Sequence, residues 1–522
     1  MSGYLRRLAT TGAAYTAASI LSKLIAVALL PLYTRYLTRA DYGAAEVLFA
    51  GVVAASIVVR LGVIEAVLRF YYKSGEEPSR VLSTSFAALF WFATAAVLLA
   101  LPFAEPISEA LHDGSAAEPI SEALLADLVR ISIGGLWVLT LHEYLLTIFR
   151  LEERARAFFA VTIANVLAAI ALTVALVVGA DEGARGLLLG SYASGAAFVL
   201  GLIVVHRRRL SLWIDRPLLR RMMRFGLPTM PAELSLYMLN FVDRIIIVRA
   251  AGFAEAGLYS LAVKFAQAVN VLVRGFQLAW PPLAYSIRDD DEARRAYALV
   301  VTYFIAVCAF VVTGMWLLSR WIVRALAAPE FFASYEAIGL ISTAVTLYAL
   351  YMVQVVILGR TGRTDLNLPA TIAALVANVV LNLILVPPLG IVGAGIALVA
   401  SYLIVVVTMY GFTQRLFPVP YEWGRLAKVV LASTVLVGLG ELLLPTEGLA
   451  GLAGRLALLL AYPLALLASG FFTRDERRNL ARLRHPRELL AGYRALRDRP
   501  SEVDGQVPEA YEAELRDEDA RL

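Results

Sequence analysis

Residues Thr10–Gly43, TTGAAYTAASILSKLIAVALLPLYTRYLTRADYG, decide how the rest of the chain is read. They hold a long apolar run with one lysine, Lys23, near its middle. A short polar corner, Arg35 to Gly43, then turns straight into a second apolar run. The same grammar returns at Phe225–Gly257, FGLPTMPAELSLYMLNFVDRIIIVRAAGFAEAG, with Asp243 and Arg244 as the embedded charges. Its corner, Ala254-Glu255-Ala256-Gly257, answers Ala40-Asp41-Tyr42-Gly43 at an offset of 214 residues. A unit used twice in a hydrophobic chain implies a transporter built from two related bundles.

Composition agrees. The 522 residues are 60% hydrophobic and 17% charged, whereas soluble domains run at about 45–50% and 25%. An integral membrane protein is expected. The net charge of +5 is no nucleic-acid signature, because the arginines sit in short runs between apolar segments. The single cysteine, Cys308, excludes an intrachain disulfide and leaves the redox compartment open. The first apolar run is too long for a cleavable signal peptide.

Fourteen runs approach or exceed the roughly 20 residues that cross a bilayer: 10–34, 43–64, 83–103, 126–148, 158–178, 186–205, 226–249, 256–278, 297–319, 335–358, 366–386, 391–410, 426–444 and 450–471. Lys and Arg concentrate in alternate connections, most densely in the 6–7 connection with Arg207, Arg208, Arg209, Arg216, Arg220, Arg221 and Arg224. The opposite loops are poor in them; 104–127 has six acids and no Lys or Arg. Both termini are therefore expected in the cytoplasm. The 104–127 loop repeats AEPISEAL verbatim, read as tandem duplication in a tolerant exterior loop.

The expected organisation is all-α and polytopic: a six-helix bundle over 1–205, an amphipathic linker over 206–225 that suits a helix on the inner membrane face, a second six-helix bundle over 226–424, helices 13–14 over 425–472, and a charged cytoplasmic tail over 473–522. Further echoes support the repeat. Loop 359–363 falls where 152–156 would, and Ser191-Tyr192 returns as Ser401-Tyr402.

An ionisable group at bilayer centre costs at least ~2.5–3.5 kcal/mol, so those present should face a cavity or a partner. Thr16, Ser19 and Lys23 share one face of helix 1; Glu233, Tyr237, Asn240 and Arg244 share one face of helix 7. Helix 8 gathers Lys264, Gln267, Asn270, Arg274 and Gln277 on one arc, and helix 2 ends with Arg60 and Glu65. These stripes imply a polar, net basic interior suited to an anionic cargo. The alternative is that Asp243 with Arg244, and Arg60 with Glu65, are structural pairs that tie helices together. Arg274 also suits snorkelling to the interface, and Asp41 and Glu255 suit helix capping. Four scattered histidines suggest no metal site, and no phosphate-binding glycine loop precedes a Lys-Ser/Thr pair. No exterior loop exceeds 24 residues. An enzyme or an ATP-driven pump is not expected.

The corner Leu30-Pro31-Leu32-Tyr33-Thr34-Arg35-Tyr36-Leu37-Thr38-Arg39-Ala40-Asp41-Tyr42-Gly43 resembles the N-terminal signature of the polysaccharide transporter, or O-antigen flippase, family. So do Arg224-Phe225-Gly226-Leu227-Pro228 and Gln277-Leu278-Ala279-Trp280-Pro281-Pro282. That family shares a superfamily with multidrug extruders and lipid II flippases. The resemblance implies a V-shaped pair of six-helix bundles around a central cavity in the bacterial inner (plasma) membrane. It implies flipping of undecaprenyl-pyrophosphate-linked oligosaccharide to the outer leaflet by alternating access, with a proton or sodium gradient and no cofactor. Implied partners are the lipid-linked oligosaccharide and membrane lipids, with a polysaccharide polymerase or glycosyltransferases as candidate contacts of the tail, and no nucleic acid. By motif position it suggests Lys23, Arg60, Glu65 and Asp41 as functional residues; lysine replaces the usual arginine at 23. Arg244, Lys264 and Arg274 join them as cavity candidates, and Asp243 joins Asp41 as a coupling or gating candidate. The alternatives are a drug/cation antiporter, whose cavity should be dominated by acids, a lipid II flippase, and a membrane protein without transport. A major-facilitator carrier is set aside because loop 2–3 reads YYKSGEEPSR.

Overall fold

The computed structural model describes residues 21–22, 25–73, 75–112, 120–473 and 476. Lys23, part of the second AEPISEAL copy and nearly all of the charged tail lie outside them. Among the described residues all regular structure is helical. In chain order the helices are α1 (Leu30–Tyr36), α2 (Arg39–Arg60), α3 (Val63–Lys73), α4 (Pro78–Ala100), α5 (Ala104–Leu111), α6 (Glu122–Leu151), α7 (Ala155–Val174), α8 (Gly183–His206), α9 (Arg216–Gly226), α10 (Met230–Met238), α11 (Val242–Ser286), α12 (Asp290–Leu326), α13 (Tyr335–Arg360), α14 (Asn367–Leu416), α15 (Trp423–Leu443) and α16 (Gly448–Ala468). The compact unit Met1–Tyr462 carries the features that follow.

Eleven described helical stretches are long and apolar enough to cross a membrane. Two of them absorb a junction between expected runs. Runs 7 and 8 meet within α11 at Gly252 (φ 85°), and runs 11 and 12 meet within α14 at Gly390 (φ 54°). Both dihedrals lie in the region that only glycine enters cheaply, so a corner is made without a loop. Apolar surface points outward as well as inward. Leu442 and Leu449 are 84% and 83% exposed, and only 11% of the most apolar part of the α7 span is buried. Such a surface needs lipid around it. This is a multi-pass membrane protein.

Run 7 is discontinuous. Pro228 and Pro231 lack the N–H a continuing helix needs, and the chain passes through a 3-10 turn, Leu227–Thr229, before α10. A second break follows at residues 239–241, where Asn240 N–H bonds to Tyr237 O (3.0 Å) and Phe241 N–H to Met238 O (3.1 Å). Run 1 loosens too, before its corner: Pro31 follows Leu30, and Leu32 N–H turns back to Leu29 O (3.0 Å). Broken backbone at membrane depth is tolerated where it is packed in protein or lines a cavity.

The two copies of the opening unit touch backbone to backbone. A Cβ on Gly43 would stand 1.9 Å from Phe253 O, and one on Gly257 2.3 Å from Arg39 O. Only glycine lets α2 and α11 cross so closely. At the other end of α2, Leu61 (φ 48°) and Gly62 (φ 72°) turn the chain into α3. There Gly62 meets Gly226, whose added Cβ atoms would lie 1.9 and 2.1 Å from each other's carbonyl oxygens.

The inter-bundle linker departs from expectation. Only Arg216–Gly226 is helical, capped by Asp215, whose Oδ1 accepts from Leu218 N–H at 3.1 Å. That bond, reinforced by Arg80, holds the Asp215 carboxyl below its usual range. Leu218 and Met222 bury the inner face of α9 against α3 and α4.

Candidate functional site

The intramembrane charges converge where α2 packs with α6, α10 and α11. Arg60, in the last turn of α2, is nearly buried, with 7% of its side chain exposed. Its guanidinium reaches Glu143 of α6 (Nη1–Oε1, 2.9 Å) and Glu233 of α10 (Nη2–Oε1, 3.2 Å), and its Nε donates to Ser56 O at 3.2 Å. The alternative of an Arg60–Glu65 pair gives way to two carboxylates from other helices. Glu65 turns away along α3 after the Leu61–Gly62 bend, yet stays within electrostatic reach of Glu233. Glu143 and Glu233 are each about two-fifths exposed, so one cation is shared by two half-open acids.

A second pair lies 14 residues back along α2, about 21 Å at 1.5 Å per residue. Lys264 Nζ of α11 meets Glu46 Oε1 at 2.5 Å and stands 5.1 Å from the centroid of the Tyr42 ring. Both contacts join α2, in the first half of the chain, to α11 in the second.

The run-7 break holds a third group. Asp243, 1% exposed, accepts from Tyr259 Oη–H and, at 2.9 Å, from Arg244 N–H. Asn240 Nδ2 donates to Tyr402 Oη at 2.8 Å. The neighbours Asp243 and Arg244 meet through that backbone bond, while the Arg244 Nε is buried with no hydrogen bond among the described residues. Deeper in α14, Asn382 Nδ2 donates to Asn378 O at 2.8 Å, and the Asn378 amide has no partner among the described residues. Arg274 is exposed and makes no ion pair among them.

Asp41 sits at the other end of α2. Thr38 Oγ1 accepts from Asp41 N–H (3.1 Å) and donates to Asp41 Oδ2 (2.7 Å), a reciprocal helix cap. Its carboxylate also stands against Gly183, the first residue of α8, where a Cβ would lie 3.6 Å away. Glu255 repeats this against Gly390, at 3.7 Å. Each acid therefore lies where a neighbouring helix segment begins and its N–H groups are unpaired, a favourable place for negative charge.

Across these groups carboxylates outnumber the paired or buried cations among the described residues. Among the described residues Glu46, Glu65, Glu143, Glu233 and Asp243 face Arg60, Arg244 and Lys264. Glu46 and Glu143 are not among the residues expected from the sequence, although each is a carboxylate inside an apolar run, the same signal that Arg60 carries. Away from these charges, a cavity of about 640 Å³ opens between α12, α13, α14 and α15. Trp316, Leu347, Val406, Tyr410 and Trp423 are among its mostly apolar walls.

Residues 8–288 match the polysaccharide biosynthesis protein family. The succinoglycan biosynthesis transport protein ExoT of Rhizobium meliloti (strain 1021) is 24% identical over 317 residues, covering 60% of this chain and 61% of that protein. The chain thus matches about three-fifths of the length of this curated relative. Among solved structures, the lipid II flippase MurJ in an inward closed conformation superposes with a TM-score of 0.67 at 15% identity, over 87% of this chain and 97% of that one. A multidrug resistance MATE family transporter of the MOP superfamily, inward-facing, gives 0.62 at 16%, over 77% and 95%. At these identities the likeness is one of fold.

Proposed function

Because the chain belongs to the polysaccharide biosynthesis protein family, we propose that it flips a lipid-linked oligosaccharide across the bacterial inner membrane by alternating access. The observation that carries this reading is the pair of ion contacts, Glu46–Lys264 and Arg60–Glu233, that join α2 of the first half of the chain to α10 and α11 of the second through the bilayer interior. Charges there are costly, and bonds between two moving halves can be exchanged for bonds to cargo or to an ion. Among the described residues, Arg244, with an unsatisfied buried Nε, and exposed Arg274 are cations suited to meet a pyrophosphate. The apolar cavity between α12 and α15 suits a polyprenyl chain. Half-open Glu143 and Glu233 suit uptake of a proton or sodium ion that frees Arg60. The arginine-rich linker and loops support a cytoplasmic side for both termini.

The excess of carboxylates supports a second reading, a drug or cation antiporter. One experiment separates them: surface glycan assembly and dye efflux in a flippase-deficient bacterial strain that expresses wild type or Lys23→Ala at equal levels. Restored glycan with wild type but not Lys23→Ala is the expected result. Rescue by both keeps the flippase and removes Lys23 from its cargo site. Dye efflux without glycan rescue overturns the flippase reading.

A further inference from the structure

The linker between α8 and α9 places an apolar tip and an arginine row on one face of the membrane. Trp91, thirteen residues into α4 and within its apolar run, donates from Nε1 to Leu212 O at 3.0 Å. Three residues later Asp215 is held near the start of α4, accepting from Arg80 Nε at 2.6 Å. Arg80 and Trp91 are eleven residues apart, about 16 Å along the helix. The segment 210–214 therefore dips alongside α4 and returns, and its tip stands beside apolar helix surface with Leu212 50% and Trp213 83% exposed. An uncovered Trp-Leu pair pinned at that depth is matched to acyl chains and their glycerol boundary, and poorly matched to water.

The flanks supply charge. Arg209 pairs with Glu152, and Arg221 with Glu76. Arg207, Arg208, Arg216, Arg220 and Arg224 are all exposed and make no ion pair among the described residues. Three of them, 216, 220 and 224, follow the i, i+4, i+8 spacing that lines one side of α9, opposite buried Leu218 and Met222.

We propose that this linker is a binding site for anionic phospholipid: Leu212 and Trp213 enter the acyl region while the five arginines hold headgroup phosphates. Guanidinium groups suit phosphate oxygens in bidentate geometry, and each basic residue at a charged bilayer surface adds attraction. The site stands whichever glycan or ion is transported.

The test uses the full chain in detergent with added phosphatidylglycerol or phosphatidylcholine, read by native mass spectrometry. Wild type is expected to retain phosphatidylglycerol on the order of tenfold better, and R207Q/R208Q/R216Q/R220Q/R224Q is expected to lose that preference. Equal retention of the two lipids by wild type, or an unchanged preference in the variant, overturns the proposal. A measurement on an intact arginine row guards against misfolding of that variant. In nanodiscs of phosphatidylglycerol brominated near the carbonyl, wild type should show a quenched tryptophan component that Trp213→Phe lacks. Identical quenching in both proteins overturns insertion of the tip.

Discussion

Arg60 shows what one residue does for its surroundings. Its guanidinium balances Glu143 and Glu233 at 2.9 and 3.2 Å, so Arg60→Gln leaves two acids facing each other without a cation. Loss of one partner of a buried pair costs ~3–5 kcal/mol. Because both acids are two-fifths exposed, water screens part of this, and a cost of about 1–3 kcal/mol is expected. Thermal unfolding in detergent should show a lower Tm for Arg60→Gln and recovery in Arg60→Gln/Glu143→Gln/Glu233→Gln. Absence of recovery would mean that Arg60 acts through packing instead. The sequence made Arg60, Asp243 and Lys264 visible as charges in apolar runs. It did not reveal their partners, because helical periodicity reports which residues share a face of one helix and nothing about residues 83 or 173 positions away. Glu46 and Glu143 are as visible in the sequence as Arg60, being charges inside apolar runs.

At the scale of elements, the length of each apolar run foretold most spans to within a few residues. The glycine-only corners of α11 and α14 were harder to foresee. Their places were legible, because Gly252 lies between runs 7 and 8 and Gly390 follows Pro387-Pro388 between runs 11 and 12; hidden was that a single glycine makes each corner without a loop. The break at 239–241 was hidden for a related reason: Pro228 and Pro231 mark the start of run 7, whereas Asn240-Phe241 carries no breaker. The contact of α2 with α11 gives a direct test. Gly43→Ala puts a methyl 1.9 Å from a carbonyl oxygen, so the helices must separate, at a cost of about 1–3 kcal/mol or more. Gly134→Ala, within α6 with nothing inside 4 Å, should instead gain about 0.5–1 kcal/mol from helix propensity. Denaturation of the two purified variants side by side decides it. A neutral Gly43→Ala would show that the crossing is looser than described.

For the whole molecule, the repeat is what the sequence told most fully. Asp41 and Glu255 each face a glycine where another helix segment begins, and the corners at Gly183 and Gly390 sit 207 residues apart. Crossing of the first and second copies at Gly43 and Gly257 closes one end of their interface. Half-open Glu233, near the Arg60 end, is therefore expected to be reached from the linker side of the membrane. Buried Cys308 is the sole cysteine, so Cys308→Ser/Glu233→Cys isolates one thiol. With a membrane-impermeant maleimide in vesicles of known orientation, it should react on the order of tenfold faster from the linker face, the two sides differing by about 1.4 kcal/mol in access. Equal rates from both faces would leave the Gly43–Gly257 end open.

The glycine contact also acts as a fulcrum. From Gly43, Arg60 lies 17 residues along α2, an arm of about 26 Å, while Glu46 lies only three residues, about 4.5 Å, away. A tilt of about 15°, the size of a rigid-body subunit rotation, would sweep the Arg60 end through roughly 7 Å and Glu46 through about 1 Å. The Glu46–Lys264 bond can then persist as a tether throughout such a swing. Arg60 must release Glu233 and Gly62 must part from Gly226, and leverage makes that end the place where the smallest force turns the whole helix.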